Sequence, residues 1–404
     1  MRSVLRGVKL PVYLDHHATT PTDPRVVAAM MPYFGDDFGN PASHTHVFGW
    51  RAEAAVEAAR ETLARCIGAK SPSEIIFTSG ATESNNLALK GLVRATRERR
   101  DQVITVSTEH RAVLDTCRAL EGEGFSVSVL AVGNDGLVDP GDVARAIGPR
   151  TALVTVMAAN NEIGALQPIA EIGRICRERA VPFHSDAAQA VGKIPLDVDA
   201  AQLDLLSFCA HKIYGPKGVG ALYVRTRRPR LRIEPLLHGG GHERGLRSGT
   251  LPVPLVVGFA KAAELAVAER EGEATRLGAL RDRLWQRLRN ELEGLRRNGA
   301  PGHCLPGNLN VCFSGVEAAP LMVALPELAL SSGSACTSAT SEPSHVLAAL
   351  GLGPELVNSA LRFGLGRGTT DEEVDFAADR VIQEVRGLRS EGRRAPTAVR
   401  SALP

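Results

Sequence analysis

The sequence predicts an α/β fold in which a large domain with a mainly parallel sheet is joined to a smaller α+β domain. Between residues 70 and 225, short β-branched apolar runs alternate with amphipathic helical stretches. After Pro254 the pattern changes to a long helical stretch, one clear strand and a closing helix. A chain of 404 residues is long enough to form one large and one smaller hydrophobic core.

Seven apolar runs in the first part are predicted to be strands buried on both faces. They are Glu74–Thr78, Gln102–Ser107, Ser126–Ala131, Thr151–Ala158, Val181–Asp186, Leu203–Ala210 and Gly220–Arg225. Helical patterns between them cover Glu83–Arg97, Arg111–Glu121 and Pro168–Arg179. The strand–helix–strand order favours parallel pairing with right-handed connections.

The second part begins with a helical stretch, from about Val256 to Asn298, that is expected to bridge the two domains. It is followed by a strand at Asn310–Phe313, a Gly/Ser loop at Ser331–Ser338 and a helix from about Asp371 to Arg389. Residues 16–265 are therefore assigned to the large domain, and residues 1–15 with 266–389 to the small domain. Residues 390–404 lack periodicity and are expected to be a disordered tail.

Composition limits the possible function classes. A formal net charge of +2 gives no case for nucleic-acid binding. No apolar run is long enough to span a bilayer, and residues 1–10 lack the features of a signal peptide. The seven cysteines show no Cys-x-x-Cys spacing, which favours reduced thiols and a cytoplasmic protein.

Three polar features stand where predicted strands end, which is where ligands bind in open parallel sheets. The turn Thr78–Ser84 contains Gly80 and Thr82, and free amides at the following helix start would form an anion cup. An ordinary N-cap explains this turn equally well. Asp186 ends another strand, where a buried carboxylate is costly unless it meets a cation or strong donors. A capping or turn aspartate would have the same pattern.

Lys212 directly follows the predicted strand Leu203–Ala210 and is expected to lie over the pocket. Buried lysines shift their pKa readily and suit imine formation. The alternative is a lysine that extends to solvent, which fits Lys217 better. An anion cup, a carboxylate and a lysine together match the phosphate, pyridine nitrogen and aldehyde of pyridoxal phosphate.

Cys336 lies among small, polar neighbours in the loop Ser331–Ser338. Unpaired cysteines are usually small core residues, and this interpretation is kept for Cys66, Cys117, Cys176 and Cys312. An accessible thiol on a mobile, hydrated loop is instead a candidate nucleophile.

Two further features have more than one interpretation. The segment His238–Thr250 contains His-x-x-x-His, which could hold a metal on a helix. Its three consecutive glycines disfavour a helix, so a loop that closely approaches a neighbour is preferred. Arg362 could offer a planar fork to a carboxylate, or it could form a surface salt bridge.

These motifs resemble the cysteine desulfurases of the iron–sulfur cluster assembly and nitrogen-fixation type, from about Leu10 to Leu388. The shared motifs are Tyr-Leu-Asp-x-x-Ala-Thr-Thr-Pro (13–21), Gly-Asn-Pro-Ala-Ser (39–43), Thr-Ser-Gly-Ala-Thr-Glu-Ser (78–84), Thr-Glu-His (108–110), Asn-Asn-Glu-Ile-Gly (160–164), His-Lys-Ile-Tyr-Gly-Pro-Lys-Gly (211–218), Arg-Ser-Gly-Thr (247–250) and Ser-Ser-Gly-Ser-Ala-Cys (331–336). The last motif, with Glu-Pro-Ser at 342–344, resembles the long-loop branch of this family.

The resemblance implies an aspartate-aminotransferase-like fold, the fold-type I architecture of pyridoxal-phosphate enzymes, in a homodimer. By it, Lys212 forms an imine with the cofactor, and Asp186 pairs with the ring nitrogen. His110 stacks on the ring, and Gln189 hydrogen-bonds the ring oxygen.

The resemblance also implies a phosphate site made by Ala81, Thr82 and His211, joined by Thr250 of the other subunit. Cys209 stands where the family usually has a phosphate-binding serine, and this is the main departure from the pattern. A thiol is a weaker hydrogen-bond donor than a hydroxyl.

For the substrate, the resemblance implies that Asn161, which also borders the cofactor, and Arg362 hold the carboxylate of L-cysteine. The thiolate of Cys336 then takes the sulfur, giving L-alanine and a persulfide that passes to a scaffold protein or another acceptor. No resident metal is implied, and Cys336 would contact a cluster only transiently. The C-terminal tail does not resemble the family's common scaffold-contacting end, so the acceptor is left open.

Two rival classes follow from the same residues. Another fold-type I enzyme, such as a selenocysteine lyase or an aminotransferase, would share the cofactor site. An aminotransferase needs no mobile cysteine, so Cys336 argues against it. A non-enzymatic scaffold would bind iron or zinc through cysteines and histidines and would lack a yellow cofactor.

Overall fold

The computed structural model describes residues 8–226, 230–332 and 343–394. In the first part, strands and helices alternate along the chain. The strands are β1 (Val12–Tyr13), β2 (Ile75–Thr78), β3 (Gln102–Val106), β4 (Ser126–Leu130), β5 (Thr151–Thr155), β6 (Phe183–Asp186), β7 (Leu205–Cys209) and β8 (Gly220–Val224). The helices are α1 (Pro24–Met30), α2 (Val47–Cys66), α3 (Ala81–Thr96), α4 (Arg111–Gly122), α5 (Pro140–Ala146) and α6 (Ile169–Glu178).

The second part starts with a single long helix and continues with short elements. They are α7 (Val253–Glu291), β9 (Leu295–Asn298), β10 (Asn308–Phe313), α8 (Ala318–Val323), β11 (Leu328–Ala329), α9 (His345–Ala349), α10 (Pro354–Asn358), β12 (Ala360–Gly364) and α11 (Asp371–Arg394). Between the two parts, segment 238–250 is a loop with one 3₁₀ turn at Glu243–Gly245, so the preference for a loop there is confirmed.

The central sheet has seven strands in the order β2-β8-β7-β6-β5-β3-β4. Only β8 runs against its neighbours, and the other six strands point the same way. The predicted α/β fold with a mainly parallel sheet is confirmed. Because β2, β6 and β7 share one direction, the residues that follow them meet at one edge of the sheet.

The smaller sheet has the antiparallel order β12-β10-β9. The prediction of continuous helix to Asn298 is wrong for its last residues, because Gly294 adopts a left-handed backbone (φ 66°) and turns the chain. Leu295–Asn298 then pair with β10. The closing helix, predicted to end near Arg389, continues to Arg394, so the expectation of disorder is wrong for 390–394, and residues 395–404 lie outside the described part.

Two large hydrophobic clusters divide the long helix α7 between them. Its beginning, including Val256 and Phe259, packs into the core around the central sheet. Its later residues, including Leu280, Leu284 and Leu288, pack with β10, β12 and α11. This arrangement supports the proposed division into residues 16–265 and a small domain of 1–15 and 266–389. Within the described residues, no helix combines the length and the apolar character that a membrane span requires.

A buried ion pair attaches the glycine-rich loop 238–250 to the strand that leads into the predicted anion cup. Both guanidinium Nη atoms of Arg60 lie 2.8 Å from the carboxylate of Glu243, and both side chains are almost fully buried. Glu243 also accepts a hydrogen bond from the Phe77 amide of β2 (2.7 Å). The pair therefore fixes the loop against β2.

We expect Arg60→Ala to lower the free energy of unfolding by about 3–5 kcal/mol, because it leaves the Glu243 carboxylate buried without its cation. Arg118→Ala, which removes an exposed partner of Asp115, should cost less than about 1 kcal/mol. Urea denaturation of both variants measures the difference, and equal losses would contradict this account of the loop attachment.

Candidate active site

A pocket of about 530 Å³ lies at the edge of the central sheet where β2, β6 and β7 end. Its wall contains most of the residues that the sequence singled out. They are Ala81, Thr82, His110, Asn161, Asp186, Gln189, Cys209, His211 and Lys212. These residues come from five separate stretches of the chain, and the fold brings them to one cavity.

One end of the pocket is built by the start of α3. Gly80 precedes this helix with φ 156°, and no side chain within the described residues caps it. A Cβ atom on Gly220 of the neighbouring β8 would meet the Gly80 Cα at 2.6 Å, so β8 approaches this turn as closely as backbone allows. A helix start without a side-chain cap keeps N–H groups available for an anion.

Cys209 and His211 lie at the same end. Burial raises the pKa of the Cys209 thiol to about 11, against the opposing effect of the Lys212 cation, and the Ala81 amide donates toward its sulfur. Burial and Lys212 lower the pKa of His211 to about 4, so its ring is neutral at pH 7. The His211 Nδ1 is 3.1 Å from the Thr19 hydroxyl.

Asp186 is held in a fixed orientation at the end of β6. Its Oδ2 accepts a hydrogen bond from Asn85 Nδ2 at 2.7 Å, and its Oδ1 accepts one from the Ala188 amide at 2.9 Å. Only 4% of the residue is exposed. The strong donors required for a buried carboxylate are therefore present. Sequence reasoning missed Asn85, which lies 101 residues away and carries no signal beyond its place in α3.

Glu109 is a second buried carboxyl that sequence reasoning did not assign, although it belongs to the Thr-Glu-His motif. Its Oε1 accepts a hydrogen bond from the Met157 amide (2.5 Å), and its Oε2 has no partner within the described residues. Burial, and secondly the negative charge of Asp186, raise the pKa of Glu109 well above its ordinary value. The fold therefore favours the protonated form of Glu109, whereas the neighbouring Asp186 has two hydrogen-bond donors.

Lys212 extends from a 3₁₀ turn (Ala210–Lys212) that directly follows β7. Its Nζ donates hydrogen bonds to the carbonyl oxygens of His17 (2.6 Å) and Ala18 (2.8 Å). The amine is thereby held at the wall of the pocket. Lys217, the residue expected to reach solvent, is exposed at the rim of the same pocket.

Arg362 does not belong to the lining of this pocket. It lies on β12, is 1% exposed, and donates hydrogen bonds to the Asn161 carbonyl (2.8 Å) and to Asp15 Oδ1 (2.7 Å). The alternative of a surface salt bridge is therefore wrong. The guanidinium lies behind Asn161, which does line the pocket, and its assignment to a substrate carboxylate stays a prediction.

Besides Arg362, two predicted site residues are not placed in the pocket. Cys336 lies outside the described residues, and Thr250 is exposed away from it. The chain that follows the Cys336 segment is fixed beside the pocket, because the Ser344 hydroxyl donates to Glu162 Oε2 (2.5 Å) and His345 Nε2 donates to the Glu109 carbonyl (2.9 Å). Burial raises the pKa of Glu162 to about 7.

The aminotransferase class V family matches residues 12–376. The chain belongs to this family. A cysteine desulfurase IscS of Anaeromyxobacter dehalogenans (strain 2CP-C) is 57% identical over 382 residues, which cover 95% of this chain and 94% of that protein. A cysteine desulfurase of Homo sapiens is 56% identical over 379 residues, covering 94% of this chain and 82% of that protein.

Solved structures agree with this membership. A NifS-like protein superposes with a TM-score of 0.87 at 38% identity and covers 93% of this chain and 99% of that chain. A structure described as SspA in complex with cysteine gives a TM-score of 0.77 at 39% identity, covering 88% and 98%. The resemblance to cysteine desulfurases and the fold-type I architecture are both confirmed. For the described residues, no group of three or more metal-ligating side chains is arranged to hold a metal ion.

The raised pKa of Glu109 predicts how stability depends on pH. Its pKa is raised in the folded protein and ordinary in the unfolded chain, so wild type loses stability as the pH rises above the unfolded value. Glu109→Gln keeps the acceptor for the Met157 amide and removes this titration. We expect the free energy of unfolding of the variant, relative to that of wild type, to increase by up to about 1.4 kcal/mol per pH unit between pH 5 and the pKa of Glu109 in the folded protein.

Urea denaturation of the cofactor-free protein at several pH values measures this difference. Glu121→Gln, at an exposed position of α4, is the control and should show no such growing gap. A Glu109→Gln curve that runs parallel to wild type from pH 5 to pH 8 would show that Glu109 is ionised in the fold.

Proposed function

We propose that this protein is a pyridoxal-phosphate-dependent cysteine desulfurase, which converts L-cysteine to L-alanine and leaves the sulfur as a persulfide on Cys336. The observation that carries the proposal is the single pocket that joins Lys212, Asp186 and the uncapped start of α3. The cysteine desulfurases at 56–57% identity and the cysteine named in the SspA structure support the same reaction.

The donor set of the pocket fits pyridoxal phosphate. A phosphate needs N–H and O–H donors, and the start of α3, Thr82 and the neutral His211 supply them at one end. A protonated pyridine nitrogen needs an oriented carboxylate, which Asp186 supplies. An aldehyde needs an amine, which Lys212 supplies, and the volume suits a cofactor of this size.

Each residue then has a defined task. Lys212 would hold the cofactor through its amine and would also be placed to move a proton at the substrate α-carbon. Asp186 would pair with the ring nitrogen, and His110 would stack on the ring. The bound cofactor supplies an electron sink for the substrate's α-carbon. Asn161, backed by Arg362, borders the space for the substrate carboxylate.

In the proposed sulfur transfer, the sulfur atom of L-cysteine moves to the thiol of Cys336. The thiolate of Cys336 attacks the sulfur of L-cysteine, so that an S–S bond forms and the C–S bond breaks. The carbon left behind takes up a proton, and L-alanine leaves. One enzyme thiol and one L-cysteine give one enzyme persulfide and one L-alanine, so no external oxidant or reductant is consumed in this step.

The partners follow from the same proposal. The enzyme acts as a homodimer in which Thr250 of one subunit completes the phosphate site of the other, and the exposure of Thr250 outside its own pocket supports this arrangement. The persulfide passes to a scaffold protein for iron–sulfur cluster assembly or to another sulfur acceptor. We place the protein in the cytoplasm, because six of its cysteines are free thiols in the structure.

The visible spectrum and an alanine assay test the function directly. Wild type purified with pyridoxal phosphate should be yellow and should release L-alanine from L-cysteine. Lys212→Ala should lose both the yellow absorbance and turnover, because it removes the amine that the His17 and Ala18 carbonyls hold at the pocket wall. Cys336→Ser should stay yellow and still bind L-cysteine, yet form almost no alanine, since a hydroxyl is a poor nucleophile toward sulfur.

Mass spectrometry after one turnover should find an added sulfur atom on the peptide that contains Cys336. A colourless wild type that binds iron or zinc would favour the scaffold alternative. If the Cys336→Ser variant is yellow and makes alanine as fast as wild type does, Cys336 has no part in the mechanism.

Cys209 gives a second, independent prediction about the phosphate end. The thiol is buried there and is a weaker donor than the hydroxyl of a serine. Cys209→Ser should therefore bind pyridoxal phosphate about tenfold more tightly, which corresponds to about 1.4 kcal/mol. Turnover at saturating cofactor should stay nearly unchanged, because the phosphate does not react.

Titration of cofactor-free enzyme, followed by the alanine assay, measures both quantities. A role for Cys209 as a second sulfur carrier is disfavoured because a thiol with a pKa of about 11 is almost fully protonated at pH 7. Unchanged or weaker cofactor binding would contradict the phosphate role, and a large loss of alanine would point to sulfur transfer through Cys209.

A further inference from the structure

Lys193 is a cation beside the pocket that the reaction proposed above does not use. Its Nζ lies 2.6 Å from Oε1 of Gln189, four residues earlier in the chain. It borders a small internal cavity of about 40 Å³, next to the pocket, whose wall also contains Lys212, His16 and His17. Burial and the nearby cation of Lys212 lower the pKa of Lys193 to about 7.

A second lysine so close to Lys212 opposes the folded state, because like charges in a partly buried site repel each other. The hydrogen bond to Gln189 is the polar interaction that the structure gives to this amine. Lys193 therefore acts mainly on the Gln189 side chain, to which it donates a hydrogen bond. Gln189 in turn lines the cofactor pocket.

The hydrogen bonds of Gln189 show on which side its side-chain amide has the oxygen and on which side it has the nitrogen. The oxygen, Oε1, accepts from Lys193 and lies 3.3 Å from Nδ1 of the His17 ring. The nitrogen, Nε2, donates to the His17 carbonyl at 2.8 Å, the same carbonyl that accepts from Lys212. One of the two N–H groups on Nε2 remains for an acceptor in the pocket.

A charged lysine has three donors and no acceptor. If the amide turned over, its NH₂ group would face the ammonium of Lys193, and its oxygen would face the carbonyl of His17. Both contacts would be repulsive. The charged Lys193 thus holds the amide with its nitrogen on the side of Lys212 and the His17 carbonyl.

We propose that Lys193 is a positioning residue for pyridoxal phosphate, holding the Gln189 amide so that its N–H is presented to the phenolic oxygen of the cofactor ring. The inference rests on the proposed function and on the contact to the ring oxygen that the family resemblance assigns to Gln189. Lys193 itself is not among the described residues that line the cofactor pocket.

Cofactor affinity in a double-mutant cycle tests this role. Cofactor-free wild type, Lys193→Met, Gln189→Met and the double variant are titrated with pyridoxal phosphate at pH 6, where most of Lys193 is charged. Each single variant should bind about three- to tenfold more weakly, the worth of one hydrogen bond. The double variant should be no weaker than Gln189→Met alone, because both changes remove the same contact.

Lys261→Met is the matched control, since Lys261 pairs with Glu264 on the outer side of α7, and its affinity should equal that of wild type. Thermal unfolding of the cofactor-free proteins shows that the variants are folded. If Lys193→Met does not fold, Lys193→Gln replaces it. A glutamine there offers both a donor and an acceptor, so it permits both Gln189 orientations, and the same loss of affinity is expected.

Lys193 variants that bind the cofactor as tightly as wild type would overturn the proposal. The proposal would also be overturned if the fold-losses of cofactor affinity in the two single variants multiplied in the double variant. Such a result would show that the two side chains act separately. Wild type that takes up no pyridoxal phosphate would instead overturn the proposed function, and with it this role of Lys193.

Discussion

The buried carboxylate of Asp186 is the group on which the rest of the pocket depends. It stands at the end of β6, almost without solvent, and is oriented by Asn85 from one side and by the Ala188 amide from the other. A buried carboxylate is stable only with such donors, and here they leave it facing a cavity rather than a fixed cation. The site is therefore prepared for a ligand that brings its own positive group.

The protonation states of the neighbours follow from this charge and from burial. Burial, and secondly repulsion from the Asp186 charge, raise the pKa of Glu109 well above its ordinary value. His211 is neutral at pH 7 because burial, and secondly the Lys212 cation, lower its pKa to about 4. The anion end of the pocket has a neutral histidine and an uncapped helix start, and the raised pKa of Glu109 disfavours a second negative charge near Asp186. Few full charges therefore compete with those of the cofactor.

The sheet and the ends of its strands could be predicted from the sequence, because buried parallel strands appear as continuous apolar runs, and their following residues carried the polar signal. The strand Leu295–Asn298 could not be predicted, because it has one apolar residue in four and follows a long helical pattern after a single glycine. The sequence did not reveal the roles of Asn85, Glu109 and Lys193, for a different reason. Their roles come from contacts, such as that of Asn85 with Asp186 across 101 residues, that no local pattern records.

The connection between the small sheet and the pocket shows what such contacts achieve. Arg362 on β12 reaches the carbonyl of Asn161, and the next residue, Glu162, accepts the hydroxyl of Ser344. Asn161 lines the pocket, whereas Ser344 begins the helix that follows the segment containing Cys336. Two adjacent residues thus tie the cofactor wall to β12 on one side and to the base of the cysteine segment on the other. The Arg362 guanidinium is occupied by Asp15, so a substrate carboxylate that used it would have to compete with that ion pair. Displacement of Asp15 and any movement of the 161–162 backbone are consequently linked through one buried arginine.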